Sequence, residues 1–411
     1  MIIHLRTVWA LLIGVMLLAL GNGLQGSLVG IRATAENFSA TATGIIMSGY
    51  YLGLFLSSFV TPNLVTKVGH IRVFAALAAV DATAVLMFPL YVEPIWWLML
   101  RLTAGICTAG LYIVCESWLN AAVSNQSRGQ ILSIYMIIVY GSLGAGQLLL
   151  NVPDLNGFIR FIIVSVLLSL SLVPIALARI EAPAIEEARA VHLRDLYRSS
   201  PLAVVATFAN GLGQSAFFSM GAIYGMMQGL PLAYISLMMA LPPIGVIVSQ
   251  YPIGFLSDRY DRRGLMTMLA LLTSTIALCS IIVQPYSRDL LIGLFTLFGA
   301  VSLPLYSLAV AHANDHLRRD QMLGASGQLV LIYGSGAVLG PSLAGGFMQR
   351  LGTPGFMTYM AVIYTALGAF AIYRMRQRSA PSRVEGPVHP VSPVTTPVAA
   401  KAMIESLQEA V

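Results

Sequence analysis

The chain has 411 residues, of which 57% are hydrophobic and 10% are charged, and its mean hydropathy is +0.80. A soluble domain carries about 25% charged residues, so this composition excludes an ordinary soluble protein and indicates lipid as the main solvent. The net charge of +6 does not indicate nucleic-acid binding, because the arginines lie at the ends of apolar runs instead of on one basic face. The three cysteines lie inside apolar runs and have neither zinc-ligand spacing nor a disulfide pattern.

The first apolar run covers residues 8–30 and follows Arg6. A signal peptide has an apolar core of about 7–15 residues and a small-residue cleavage site. This run is longer and contains Asn22 and Gln25. We therefore interpret it as a retained first transmembrane helix.

Turn and charge signals divide the chain into twelve predicted membrane spans, each close to the ~20 residues that a spanning helix needs. The predicted spans are 8–30, 42–63, 71–92, 95–121, 129–151, 158–178, 201–225, 232–256, 264–285, 289–313, 322–348 and 354–374.

The charge pattern also predicts the domain organisation. Residues 1–178 are predicted to form an N-terminal six-helix bundle, and residues 201–376 a C-terminal six-helix bundle. The charged segment 179–200 is a predicted cytosolic linker between them. The polar, proline-rich segment 377–411 cannot bury a core and is predicted to be a disordered cytosolic tail.

The distribution of basic residues predicts the orientation in the membrane. With the N-terminus inside, eighteen Lys and Arg residues fall on the cytosolic side and four on the outer side, and Arg101 lies within a span. This positive-inside bias predicts a multi-pass bacterial inner-membrane protein with both termini in the cytosol.

The two predicted bundles repeat short patterns at corresponding helix positions. The sequence NGL at 22–24 recurs at 210–212, and GQILSIY at 129–135 matches GQLVLIY at 327–333. Further matched pairs in the second and fourth helices of each bundle are Met47 and Met239, Gly53 and Gly245, Ser57 and Ser249, Gly105 and Gly299, Tyr112 and Tyr306, and Asn120 and Asn314. Such repeats are typical of secondary transporters, whose binding site lies between the halves near the membrane midplane.

Several segments resemble motifs of the major facilitator superfamily. GFLSDRYDRR at 254–263 is similar to the family's loop motif GxxxDRxGRR, with Asp261 in place of the second glycine. RLTAG at 101–105 and GAVLGPSLAGG at 336–346 are similar to two further family elements, whereas the first-half loop at 62–72 lacks the motif's first glycine and its aspartate. RGQILSIYM and ESWLN, within residues 98–150, resemble the YcaD-like branch of this superfamily.

The resemblance covers residues 1–376 and implies an all-α membrane protein. Twelve transmembrane helices are expected to form two six-helix pseudo-repeats around a central cavity. The loop at 254–263 is expected to hold the cytosolic side closed, with Asp258, Arg259 and Arg262 as gate residues. We expect Asp258 to accept a hydrogen bond from a helix N-terminus and to pair with Arg262 or Arg263.

The fourth predicted helix places Arg101, Tyr112 and Glu116 on one face, which is poorly suited to lipid. At ~1.5 Å per residue, Arg101 and Glu116 are ~22 Å apart, so they are not expected to pair. Glu116 is predicted to act at a cytosolic gate, with Arg128 or Arg72 as its partner. A role in proton carriage is the alternative.

Asp81, on the third predicted helix, is the candidate partner of Arg101 within the membrane. The pair either orients the helices or acts in function, as a proton-sensitive pair or through an arginine that meets an anionic group of the substrate. His312 is a candidate for proton transfer, or a hydrogen-bonded residue at a helix end.

The remaining candidates are uncharged groups that can orient a moderately polar solute or bond one helix to another. Together with Arg101, the predicted cavity residues are Asn22, Gln25, Tyr112, Tyr135, Asn210, Gln214, Tyr306 and Tyr333.

The sequence thus predicts a monomeric secondary active transporter that moves a small solute by alternating access. Its predicted partners are the solute and the lipid bilayer, and proton coupling is left open. No metal, cofactor, nucleic acid or enzymatic activity is predicted, because no clustered acid–base or metal-ligating set and no P-loop is present in the sequence. The alternative is a transporter-like membrane sensor or scaffold that does not transport.

Overall fold

The computed structural model describes residues 2–122, 125–154, 157–177, 193–317 and 319–377, except the side chains of 2–7, 120–129, 319–321 and 323. The described residues are mostly helical and contain no strand. The helices are α1 Ile2–Ala35, α2 Ala40–Val68, α3 His70–Met87, α4 Pro94–Ala122, α5 Asn125–Leu148, α6 Ile159–Leu177, α7 Leu193–Ser199, α8 Pro201–Met227, α9 Leu232–Arg259, α10 Arg262–Val283, α11 Arg288–Ser302, α12 Leu305–Asn314, α13 Arg319–Leu351 and α14 Gly355–Gln377.

These helices confirm a polytopic all-α membrane protein. Within the described ranges, eleven helical segments are long and apolar enough to cross a membrane, with α11 and α12 forming one of them. The remaining predicted span is helix α8, which carries Asn210 and Gln214 and is buried over most of its length. A helix surrounded by protein can carry polar groups that lipid would not accommodate, so the burial of α8 is consistent with Asn210 and Gln214 at its centre.

Part of the predicted domain organisation lies outside the described residues. This holds for 178–192 of the linker region and for the tail from 378 onward. Residues 193–199 of the predicted linker form the short helix α7. The predicted bundle boundaries stay predictions.

The tenth predicted span, 289–313, is not one continuous helix. It is interrupted at Leu303 and Pro304, between α11 and α12. Proline has no backbone N–H, so the carbonyl of Ala300 loses its usual helical donor. That carbonyl accepts instead from Ser249 Oγ of α9 at 2.6 Å, and Leu303 O accepts from Gln214 Nε2 of α8 at 3.1 Å.

The two halves pack the same helix pairs. In the first half, α1 packs on α5 and α6, α2 on α4, and α3 on α4 and α6. In the second half, α8 packs on α13 and α14, α9 on α11, and α10 on α11 and α14. The architecture is therefore two six-helix pseudo-repeats.

Glycines permit the closest crossing in the first half. A Cβ on Gly53 of α2 would lie 2.9 Å from the Cα of Gly105 on α4, which is closer than real Cβ atoms approach. The repeat-equivalent Gly299 of α11 meets Pro242 of α9 in the same way. Small residues allow helix backbones in membranes to approach closely, and both crossings use this property.

A hydrogen bond from a serine side chain accompanies each of these two helix crossings. Ser57 Oγ of α2 donates to Ile106 O of α4 at 2.9 Å, and Ser249 Oγ of α9 donates to Ala300 O of α11 at 2.6 Å. The two serines are the repeat-matched pair of the sequence. The pseudo-repeat therefore extends from sequence to individual hydrogen bonds.

The bundle has two distinct ends. We call the end that holds the start of α1, the end of α14 and the α9–α10 turn the terminal end, and the opposite end the far end. Because successive spans run antiparallel, the start of α2 and the end of α13 lie at the far end. There, Ser48 Oγ of α2 lies 2.8 Å from Ser342 Oγ of α13.

Further contacts between the halves also lie toward the far end. Asn151 Nδ2, just after α5, donates to Ser236 Oγ of α9 at 2.8 Å. A Cβ on Gly144 of α5 would lie 2.7 Å from Ala240 O of α9. The halves are therefore closely packed at the far end.

The glycine crossing of the first half can be tested by adding one methyl group. Gly105→Ala is expected to lower the melting temperature of the purified protein, because the new Cβ would overlap the carbonyl of Tyr50. Gly293→Ala is the matched control, since Gly293 of α11 is exposed and its Cβ would meet open space. The control should be unchanged or slightly stabilised by the better helix propensity of alanine. Equal melting temperatures for the two variants would contradict a close crossing.

Candidate functional site

A cavity of about 200 Å³ lies between the two halves, in the middle of the bundle. Helices α1, α2, α4 and α5 form one wall, and α8, α9 and α13 form the other. Six of the predicted cavity residues line it: Asn22, Gln25, Arg101, Tyr112, Gln214 and Tyr333. The repeated halves thus bring residues that are distant in sequence to one central space.

Arg101 is the charged group of this lining. Its side chain is 2% exposed, and its guanidinium carbon lies 4.4 Å from the centre of the Tyr50 ring. This is the geometry of a cation–π interaction. The crossing at Gly53 and Gly105 brings α2 and α4 together here, because Tyr50 lies one turn from Gly53.

Asp81 does not form an ion pair with Arg101, although both side chains are described and buried. Asp81 Oδ2 instead accepts from Thr108 Oγ1 of α4 at 3.2 Å, and Asp81 Oδ1 has no hydrogen-bond partner among the described residues. Thr108 Oγ1 also lies 3.5 Å from Asn22 Oδ1 of α1. Thr108 therefore lies between the carboxylate of α3 and the cavity lining.

Glu116 lies apart from the cavity in a buried position. It accepts from Tyr135 OH of α5 at 2.8 Å, so two predicted site residues are in contact with each other. The side chain of Arg128, its predicted partner, lies outside the described residues. The other predicted partner, Arg72, is exposed at the start of α3.

Two further predicted cavity residues are buried in helix contacts. Asn210 Nδ2 donates to Ala206 O of its own helix at 3.0 Å. Tyr306 packs edge-to-face on the ring of Tyr333, with centroids 5.4 Å apart. Tyr306 therefore supports a lining residue without lining the cavity itself.

Other lining residues were not among the predicted ones. Tyr50, Tyr51, Tyr140, Gln147 and Phe218 all face the cavity. The repeat offered a signal for Tyr50, because the matched Gly53 marks the face of α2 that meets α4. For the others no spacing in the sequence distinguished a cavity residue from a core residue.

The loop at 254–263, which resembles the family motif, forms a charged cluster at the terminal end. Arg262 lies 3.7 Å from Asp258 through its Nη2 atom, and it also forms an ion pair with Asp315, which follows α12. Arg262 Nη1 in addition donates to Ala311 O of α12 at 3.2 Å. The cluster thus fastens the α9–α10 turn to α12, and Asp315 is a partner that the sequence motif did not indicate.

The N-cap residue of α10 is Asp261, which stands where the family motif has glycine. Asp261 Oδ1 accepts from the backbone N–H of Arg263 at 3.0 Å, and its Oδ2 accepts from Arg263 Nη2 at 3.0 Å. Partial burial alone would raise the pKa of the Asp261 carboxyl, but the hydrogen bonds from Arg263 outweigh it and hold that pKa below its ordinary value of 3.8.

Two other predicted gate residues have local partners. The guanidinium carbon of Arg259 lies 4.0 Å from the centre of the Phe255 ring one turn earlier. His312 is buried, and its ring packs edge-to-face on His316 with centroids 4.8 Å apart. Both residues lie at the same end as the loop cluster.

A second space opens at the terminal end between the halves. This cleft of about 580 Å³ is lined by α5 on one side and by α9 and α12 on the other. Tyr140 lines both the cleft and the central cavity. The central cavity is therefore adjacent to a cleft at the terminal end, whereas the halves pack closely at the far end.

The family model of the Major Facilitator Superfamily matches residues 11–234 and 203–404. The chain belongs to this superfamily. It is similar to the protein called "Uncharacterized MFS-type transporter YcaD" of Escherichia fergusonii, with 27% identity over 352 residues that cover 85% of this chain and 91% of the relative. This similarity identifies the YcaD-like branch, as the motifs within 98–150 indicated.

Two solved structures share the fold. One is a bacterial homologue of the human lysosomal transporter Spinster in an inward-facing, unoccupied conformation, with TM-score 0.67, 13% identity, and coverage of 99% of this chain and 98% of that chain. The other is the nucleoside transporter NupG, with TM-score 0.71, 13% identity, and coverage of 93% and 100%. The chain is thus a multi-pass bacterial inner-membrane protein of a transporter family, with the fold of that family.

The Asp261 cap can be tested through its pH dependence. The pKa of Asp261 in the folded protein lies below 3.8. The stabilisation of the fold by the Asp261 carboxylate should therefore be fully present above pH 3.8 and be lost as the pH falls through the folded pKa. Asp261→Ala should lower stability by about 1 kcal/mol at neutral pH, the usual loss for an N-cap. The melting-temperature difference from the unsubstituted protein should shrink in acid.

Asp261→Asn is the control, because asparagine also caps helices but cannot titrate. The melting temperature of Asp261→Asn at neutral pH should lie between that of the unsubstituted protein and that of Asp261→Ala. If the difference in melting temperature between the unsubstituted protein and Asp261→Ala grew in acid, the assignment of Asp261 as a charged N-cap would be contradicted.

Proposed function

We propose that the protein is a secondary active transporter that moves a small solute across the inner membrane by alternating access. The observation that carries the proposal is the central cavity between two pseudo-repeated halves. In transporters built from such repeats, the site stays near the midplane while the halves rock around it.

The arrangement of contacts supports a conformation that is open toward one side. Ser48 contacts Ser342, and Asn151 contacts Ser236, so the halves meet at the far end. The cleft that adjoins Tyr140 lies at the terminal end. The positive-inside distribution of basic residues predicts that the terminal end lies in the cytosol. The described conformation is then inward-facing, the same state that is stated for the Spinster homologue.

The change to an outward-facing state requires the far-end contacts to open. These contacts consist of hydroxyl and amide hydrogen bonds and of close backbone packing at Gly44 and Pro341. Within each half, the same helix pairs are packed together and carry their own hydrogen bonds, such as Tyr135 to Glu116 in the first half and Ser249 to Ala300 in the second. The repeated packing within each half supports motion of each half as a unit.

Proton coupling, if the transport uses it, has Asp81 as its best candidate. Asp81 is fully buried, and one of its carboxylate oxygens has no partner among the described residues. Thr108 connects it to Asn22 in the cavity lining. A change of charge on Asp81 would therefore be felt beside the site.

A sensor or scaffold that binds without transporting is the alternative function. It would need the cavity but not an opening at the far end. Accessibility of the cavity from both sides therefore separates the two functions, and this can be measured without knowledge of the solute.

The test uses a reporter cysteine in a background in which Cys107, Cys115 and Cys279 are replaced by serine. Ser58→Cys lies in the cavity lining. For a transporter, a membrane-impermeant maleimide should label it from the terminal side in inside-out vesicles and from the far side in right-side-out vesicles. Labelling from the terminal side alone would support the non-transporting alternative.

A disulfide across the far end provides the second arm. Ser48→Cys and Ser342→Cys are introduced together with the reporter, because their hydroxyl oxygens are 2.8 Å apart. Oxidation should abolish labelling from the far side and preserve it from the terminal side, and reduction should restore both. The two single substitutions are matched controls and should not respond to oxidation.

A further inference from the structure

The lining of the central cavity has an uneven distribution of charge and hydrogen-bonding capacity. Among its described residues, only Arg101 carries a charge at neutral pH, and no aspartate or glutamate is present. The Nε–H of Arg101 has no hydrogen-bond partner in the described part of the chain. A buried cation without an acceptor is costly, so this site is complementary to an anion.

Two carboxamides stand beside this charge on the same half of the molecule. The Nδ2 atom of Asn22 and the Nε2 atom of Gln25, both on α1, are buried and have no hydrogen-bond partner among the described residues. Both residues line the cavity. Together with the Nε–H of Arg101, three unpartnered buried donors therefore belong to lining residues of α1 and α4.

The opposite wall differs in character. There, Phe218, Pro243 and Val330 present apolar surface, and the polar Gln214 is already bonded, since its Nε2 donates to Leu303 O and its Oε1 accepts from Tyr333 OH at 3.3 Å. The lining therefore offers unpartnered donors on the first half and, on the second half, an uncharged surface whose polar groups Gln214, Ser219 and Tyr333 already form hydrogen bonds.

Aromatic rings form much of the remaining surface. The lining includes Tyr50, Tyr51, Phe55, Tyr112, Tyr140, Phe218 and Tyr333. Aromatic side chains favour offset-stacked or edge-to-face contact with other rings. The volume of about 200 Å³ is comparable with the engineered cavity of about 150 Å³ that binds benzene in another protein. The space thus fits one ring with a short substituent.

From these observations we propose that the cavity binds a monocyclic aromatic carboxylate. Its carboxylate accepts hydrogen bonds from Arg101, Asn22 and Gln25, and its ring lies among the aromatic rings of the lining and against the apolar surface of the second half. A single arginine matches a monoanion better than a phosphate dianion, because no second cation is present in the described lining. This proposal rests on the proposed function and adds the chemical class of the solute.

The experiment measures binding to the purified full-length protein by calorimetry and thermal shift. The probes are benzoate, phenylacetate and nicotinate, each compared with its neutral amide. Cyclohexanecarboxylate keeps the charge without the aromatic ring, and acetate keeps it without a ring at all. At least one aromatic carboxylate should bind at least tenfold more tightly than its amide and than cyclohexanecarboxylate.

Arg101→Gln removes the charge from the cavity. We expect it to weaken binding of that carboxylate at least tenfold, which corresponds to about 1.4 kcal/mol, and to leave the affinity for the amide nearly unchanged. Arg288→Gln is the matched control. Arg288 is exposed at the start of α11, and its replacement by glutamine makes the same change in net charge. It should bind as the unsubstituted protein does.

The comparison of carboxylate with amide needs no substitution, so it remains decisive if Arg101→Gln fails to fold. Equal affinity for carboxylate and amide, or no binding of any aromatic carboxylate, would overturn the proposal. A failure of carboxylate binding can be distinguished from a failure of the proposed transport function. Ser58→Cys would still be labelled from both sides if the protein transports a solute of another class, whereas one-sided labelling with intact carboxylate binding would contradict transport alone.

Discussion

The central site depends on how closely helices α2 and α4 can approach. Gly53 and Gly105 remove the side chains that would separate the two backbones, and Ser57 binds the carbonyl of Ile106 across the same crossing. In a membrane, helix association rests on such packing, because lipid is as apolar as the side chains it replaces. One turn away, the same approach places the Tyr50 ring against Arg101. A buried charge is thereby held in position by an aromatic ring.

This arrangement explains how a charged residue can lie deep in an apolar bundle without an ion-pair partner in the described part of the chain. The ring covers one face of the Arg101 guanidinium, and Asp81 on α3 accepts a hydrogen bond from Thr108 through one of its two carboxylate oxygens instead of pairing with Arg101. The cation is consequently directed into the space between the halves. The second half has no equivalent charge, because Phe295 stands at the position that corresponds to Arg101 and is buried among aromatic rings. The asymmetry between otherwise similar halves gives the cavity one wall that carries a charge and one wall that is uncharged.

The sequence predicted the architecture well, because hydropathy, basic-residue placement and the repeated motifs all report on helices that span lipid. It also identified six lining residues, including Arg101, since polar groups on apolar helices must face protein or a cavity. It missed Tyr50, Tyr140 and Phe218, because an aromatic residue in an apolar run gives the same pattern in a core as in a cavity. It also missed the break at Pro304, whose freed carbonyl is bonded by Ser249 from a helix distant in sequence. Tertiary partners of this kind cannot be derived from spacing.

The central claim is that the cavity between the halves is a carrier site and not only a binding site. Counterflow in proteoliposomes measures this property directly. Vesicles that contain the protein are loaded with an excess of an unlabelled aromatic carboxylate that stabilises the protein, and are then diluted into a trace of the labelled compound. The account predicts a transient accumulation of label above equilibrium that Arg101→Gln abolishes and Arg288→Gln preserves. Binding of the compound without any transient accumulation would contradict the account.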